Sequence, residues 1–259
     1  MQEHCQHRGT KMTKTMILTG ARTICLAFCT VVSLAQAPAK GGQDVWWSPD
    51  LKLSSLSEVP EALSSPVTVG GKTVQVTLVN GSTKRAVQTC TEYLDAVAQK
   101  LAPMDDKGDD TPFVERCYPL NYLRGARSAT KSFVQPRWGD DALQRLPPFD
   151  IFVEASLAAK ADRARRRGES WQRFDPKMRV VSISDRNLIL ENATVRWSLE
   201  LLAVADVNHD GLNDAIVIAC DSMKTTGGGL CFPMVLTVSA PNTVYRLLSS
   251  SSPPYALKR

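Results

Sequence analysis

The second half of the chain constrains its fold most. From Met178 onward the apolar residues leave a helical spacing and gather into six short strand-like runs, at 179–184, 187–191, 195–205, 215–221, 232–238 and 244–248. Turn formers separate them: Asp185-Arg186, Glu191-Asn192, an aspartate-rich stretch at 206–214, a glycine-rich one at 225–229, and Ala240-Pro241-Asn242. Connections this short favour hairpins, so the spacing predicts an antiparallel meander.

The first half reads differently. Residues 73–79 alternate with period two and end at Asn80-Gly81, a strand and its turn. Ala86, Cys90, Tyr93, Leu94, Val97 and Leu101 then recur at steps of three and four, which predicts a helix over 83–102 stopped by Pro103. The stretch 104–111 is acidic and solvated. A second helix is expected from Phe113 within 112–132, interrupted near Pro119, and a third over 151–167 ended by Gly168. Arg163, Arg165, Arg166 and Arg167 at its end complement the helix dipole; contact with lipid headgroups or an acidic partner is the alternative. Helices first and sheet second make an α+β chain. Its helical part (83–168) is expected to pack on one face or end of the sheet part (178–248), within one domain at 71–248. Residues 38–70 form an irregular arm with Trp46-Trp47 as a packed anchor, and 249–259 a flexible tail.

Charge and cysteines place the chain outside the cytosol. The formal charge is +5, but 1–37 holds four cations, Arg8, Lys11, Lys14 and Arg22, against Glu3. The remaining excess is small and makes no case for nucleic acid. Basic residues, an apolar run at 24–35 and small residues at Ala35 and Ala37 follow the order of a secretory signal peptide. That run is too short to span a bilayer, and no other stretch in the chain is apolar enough. Cleavage leaves Cys90, Cys117, Cys220 and Cys231. An even count in an exported chain reads as disulfides, with the local pairs Cys90–Cys117 and Cys220–Cys231 preferred. Zinc is disfavoured by the absence of C-x-x-C spacing and by a single mature histidine, His209.

The stretch 206–214, DVNHDGLND, is the firmest chemistry in the chain. Oxygen donors stand at every second position: Asp206, Asn208, Asp210 and, two beyond Leu212, Asp214. Gly211 allows a sharp turn. Calcium takes six to eight hard oxygens from a flexible loop, and Leu212 would add its carbonyl while its side chain turns to the core. Magnesium, which keeps its waters and demands octahedral geometry, fits less well. Val217 stands where an EF-hand has its last glutamate, and the flanks are strand-like. Strand–loop–strand with D-x-[DN]-x-D-G-x-x-D resembles the calcium loop of FG-GAP and VCBS-type repeats. The likeness spans residues 199–219 and implies a calcium-loop hairpin. No second copy occurs, so a propeller is not expected. The simpler alternative is an Asx-rich turn without metal.

Catalytic signals are missing. His209 lies inside the aspartate loop and has no histidine to share a zinc with. No G-x-S-x-G, P-loop or G-x-G-x-x-G occurs. The expectation is a periplasmic or secreted, calcium-stabilised, non-enzymatic protein that binds another macromolecule, a class that includes inhibitor- and immunity-type proteins. The alternatives are a glycan- or cell-wall-binding module using Trp46, Trp47, Trp138 and Trp171 as stacking faces, and a carboxylate-dependent hydrolase.

Overall fold

A computed structural model describes residues 45–104, 110–135, 137–149, 155–225 and 231–250. The expected signal peptide (1–37), the start of the arm, most of the acidic loop, the glycine-rich turn and the last nine residues lie outside the described residues. The strands are β1 (Trp46–Trp47), β2 (Thr68–Val69), β3 (Lys72–Thr73), β4 (Val76–Asn80), β5 (Thr83–Val87), β6 (Ala102–Pro103), β7 (Arg179–Ile183), β8 (Asn187–Glu191), β9 (Val195–Ala205), β10 (Asp214–Met223), β11 (Cys231–Thr237) and β12 (Arg246–Ser250). The helices are α1 (Val59–Ser64), α2 (Cys90–Ala98), α3 (Thr111–Leu123), α4 (Ala142–Arg145), α5 (Ala155–Arg166) and α6 (Trp171–Phe174).

The predicted meander is present. Strands β7 to β12 lie side by side in chain order, every pair antiparallel. β1 adds to the same sheet. β8 pairs with β9 only as far as Glu200, and β1 continues that edge, with Trp46 opposite Val204 and Trp47 opposite Ala203. The arm is therefore ordered from its first described residues. Arg186 in the β7–β8 turn secures it: the guanidinium reaches Ser48 Oγ and, at 3.3 Å, Asp50. Two small antiparallel sheets, β5-β4-β6 and β2-β3, complete the fold.

The helical regions do not stay on one face. Leu202, Ala203, Ile216, Ile218 and Val235 share a core with Tyr93, Phe113 and Leu120 of α2 and α3. On the other side Trp197, Leu199, Val217, Phe232 and Met234 share a second core with Leu143, Phe149 and Trp171. The reason is legible in β10 and β11, whose central residues are buried without interruption. A strand with apolar residues on both faces must be covered on both. Aromatic rings bind the second core, with Phe149–Trp171 at 4.7 Å and Trp171–Trp197 at 5.5 Å between centroids.

Two expected helices are shorter. Residues 83–87 form β5, folded back on β4 by the Asn80-Gly81 turn, with Asn80 opposite Thr83. α2 starts only after Thr89, whose hydroxyl accepts from Glu92 N while Glu92 returns to Thr89 N, a reciprocal capping box. Ala86 lies at helical spacing from Cys90 by coincidence of a strand running into a helix. α3 passes through Pro119 and ends at Leu123, well before 132. Its buried Phe113, Cys117 and Leu120 hold it through the missing hydrogen bond. Both disulfides are formed, Cys90–Cys117 joining α2 to α3 and Cys220–Cys231 joining directly opposed residues of β10 and β11. On the chain-entropy account each stabilises the fold by about 3 kcal/mol. Arg165 and Arg166 of α5 face Asp162, and Arg167, just beyond the helix, faces Glu169.

An ion cluster closes the far end of the meander. Glu191, with its side chain 7% exposed, receives Arg179 at 2.5 Å, Lys224 at 3.0 Å and Arg196 at 3.3 Å. Lys224 and Arg179 hold its carboxyl down at about 2. A depressed folded-state value means that this contribution is present above the unfolded carboxylate range and fades as pH falls from about 4.5 towards 2. Glu191→Gln is expected to lower the urea midpoint at pH 7 and to flatten its fall between pH 4.5 and 2.5, as followed by circular dichroism.

Candidate metal centre

The aspartate loop is the hairpin connection between the two longest strands. Ala205 at the end of β9 stands opposite Asp214 at the start of β10, and 206–213 arch between them. Backbone amides turn inward onto the side-chain oxygens. Asp206 accepts from Asp210 N (3.1 Å) and Gly211 N (3.0 Å). Asn208 Oδ1 accepts from Asp210 N (3.0 Å), and Asp210 Oδ1 from Leu212 N (2.8 Å). Asp214 Oδ2 closes the other side, accepting from Val207 N (3.0 Å) and Asn208 N (3.4 Å). Two residues take left-handed backbone, Gly211 at φ +84° and His209 at φ +63°. The glycine was legible in the sequence; the histidine was not.

The donors divide by depth. Asp206 and Asp214 are buried, 4% and 0% exposed, whereas Asn208 and Asp210 are exposed at the tip. Leu212 is only half-buried, and it is Asn213 that turns inward, 1% exposed with its side-chain oxygen unpartnered. Burial pushes the Asp214 carboxyl up, against the opposing pull of the Thr237 hydroxyl and the Val207 and Asn208 amides. That hydroxyl forms no sound hydrogen bond to Asp214 Oδ1, which is buried without a partner. None of the three carboxylates forms an ion pair among the described residues. Two buried negative charges with no cation are costly in a protein interior.

A second strip of chain clasps the loop. Beyond α3, Arg127 and Asp206 exchange both backbone hydrogen bonds at 3.0 Å. Gly211 O accepts from Thr130 N (3.0 Å), Thr130 Oγ1 (2.9 Å) and Lys131 N (3.2 Å). His209 Nε2 lies 2.6 Å from Gly125 O, so the imidazole is engaged with backbone. This strip has no local signal, since it falls inside the helix expected over 112–132.

The donor set fits a hard divalent cation. Every donor is oxygen, and a carboxylate oxygen that takes one amide hydrogen keeps a lone pair free. The loop carboxylates are not drawn together, however. Among the described residues one set of three ligand-type side chains converges within 4.8 Å, Glu115 with Cys220 and Cys231. Those sulfurs are joined to each other and offer no thiolate.

No family model, curated protein or solved structure matches the chain. Its chemistry is read from its own residues. Three of the four tryptophans named as stacking faces are at least half-buried. Trp171 is wholly buried, and Trp47 and Trp138 are half-buried with their indole N–H groups bonded to Leu53 O (2.6 Å) and Arg186 O (2.7 Å).

Gly211 carries a direct test of the loop geometry. A Cβ there would meet Thr130 Oγ1 at 3.2 Å, on backbone that an L side chain rarely adopts. Gly211→Ala is expected to cost about 1–2 kcal/mol of stability, measured by chemical denaturation. An unchanged midpoint would refute the loop geometry.

Proposed function

We propose that this protein is an exported, calcium-stabilised binding protein without catalytic activity, and that 206–214 is a calcium loop of the FG-GAP and VCBS kind. One observation carries the calcium reading: Asp206 and Asp214 are buried with no cationic partner, and Asp214 keeps an orphaned oxygen. A bound calcium ion would supply two positive charges against three carboxylates. Asp206 and Asp214 would hold it from the base of the hairpin, Asn208 and Asp210 from the tip. The two disulfides support export, since such bonds persist in oxidising compartments. Among the described residues no helix is long and apolar enough to cross a membrane. The engaged imidazole of His209 supports the non-enzymatic reading. The partner is a macromolecule, as for an inhibitor- or immunity-type protein of the periplasm.

Thermal unfolding tests the calcium reading. Extracellular calcium modules bind at about 10⁻⁴–10⁻³ M. Raising calcium to ~10 mM should then stabilise the protein by about 1–3 kcal/mol relative to a chelated sample. Asp214→Asn is expected to abolish that increment while leaving the metal-free protein no less stable, because it removes a buried charge. An absent increment, or one of equal size in the variant, refutes the site. If Asp210→Ala abolished a turnover without lowering stability, the protein would be a carboxylate enzyme instead.

A further inference from the structure

Arg116 on α3 is a half-buried cation without a polar partner among the described residues. Its Nε is buried without a hydrogen-bond partner, and among the described residues its guanidinium meets no carboxylate in an ion pair. Burial lowers its pKa with no compensating interaction. The neighbouring Cys117, bonded to Cys90, anchors this turn of the helix to α2. A charge kept half out of water and unpaired is a net cost to folding. A guanidinium presents a planar fork that matches a carboxylate.

Arg116 opens onto two cavities. One, of about 330 Å³, lies between the arm, α3 and the sheet. The other, of about 400 Å³, lies towards α1 and shares only Lys52 and Arg116 with the first. The first has an apolar wall of Leu51, Val67, Leu202 and Ile218, and the exposed Val69 stands at its rim. Its volume falls at the small end of ordinary ligand sites. Asp50, Glu115 and Glu200 also border it, against Lys52 and Arg116. Arg186 lies 3.3 Å from Asp50 and 3.8 Å from Glu200, which leaves both acids partly neutralised and Arg116 uncommitted. A dianion such as phosphate would meet three carboxylates, whereas a single carboxylate can take the Arg116 fork and leave an apolar body on the wall.

We propose that this cavity binds a monocarboxylate with a compact branched or aromatic body, its carboxylate on Arg116 and its body against Leu51, Val67, Leu202 and Ile218. This adds to the binding protein proposed above a carboxylate site distinct from its macromolecular partner, and needs no calcium. The same chemistry comes from a free small acid or from the C-terminus of a peptide, and the test separates them.

Saturation-transfer NMR on the mature full chain, run in calcium and again in chelator, would use isovalerate, phenylacetate and acetyl-Gly-Leu as probes, with phosphate as competitor. Saturation transfer is expected at millimolar probe, with phosphate a poor competitor. Tighter binding of the free acids or of the peptide names the source. Arg116→Gln is expected to weaken binding at least tenfold while keeping its fold and its calcium response. Val69→Trp, which obstructs the rim without entering the core, should weaken it too and decides the matter if Arg116→Gln does not fold. No transfer from any probe, phosphate competing as well as isovalerate, or undiminished binding in the informative variant overturns the proposal. Because binding and calcium response are read separately, loss of one reading leaves the other standing.

Discussion

The loop end of the β9–β10 hairpin, residues 201–205 and 214–219, cannot face water on either side, and the rest of the fold answers that constraint. Ile216 and Ile218 point to one core while Val217 and Ala219 point to the other. A sheet of this kind needs two covers. The chain supplies one from before the sheet, with α2, α3 and the arm, and another from the segment that ends in α6. A bulge between Leu201 and Ala203 sends both Leu202 and Ala203 to the α3 side, where the arm crosses. The disulfides sit on the same logic. Cys90–Cys117 ties the two helices of the first cover together, and Cys220–Cys231 pins the hairpin partner β11 to β10 beneath them.

The aspartate loop is the same hairpin's other end. Strand ends buried on both faces bring their connection partly inside, and this is why Asp206 and Asp214 lose their water. The backbone answers with amides from 207, 208, 210 and 211, which satisfy the carboxylates as acceptors but do not neutralise them. The strip 127–131 seals the outside of the turn. Hydrogen bonding is nearly complete there, whereas no cationic side chain among the described residues balances the carboxylates.

Much of this was legible in the sequence where local pattern and burial agree. The strands 187–191 and 195–205 are found as read, since alternation and turn residues bound them on both sides. The disulfide pairs followed from even count and proximity. The failures came where one pattern had two meanings. Ala86 and Cys90 keep helical spacing across a strand–helix junction, and only the Thr89–Glu92 box marks the boundary. Trp171 looked like a surface ring because polar residues surround it in the chain, but the sheet supplies its neighbours from residues such as Trp197. The clasp at 127–131 and the left-handed His209 depend on a contact between distant segments and leave no local trace. Arg116 reads as one more helix cation until its surroundings are known.

The pairing of β1 with β9 sets an order of assembly. Trp46 meets Val204 some 150 positions later in the chain, and Ser48 N donates to Leu202 O across the same interval. A chain that emerges N-terminus first therefore releases its first strand long before the edge it completes exists. Closing so long a loop is slow relative to forming the local hairpins of the meander. The arm is thus the entropically costliest piece of this sheet to seat, and until it does the β9 edge beyond Glu200 stays open. Seating it also brings Leu51 and Lys52 to the Arg116 cavity, so that cavity has its full wall only with the arm in place.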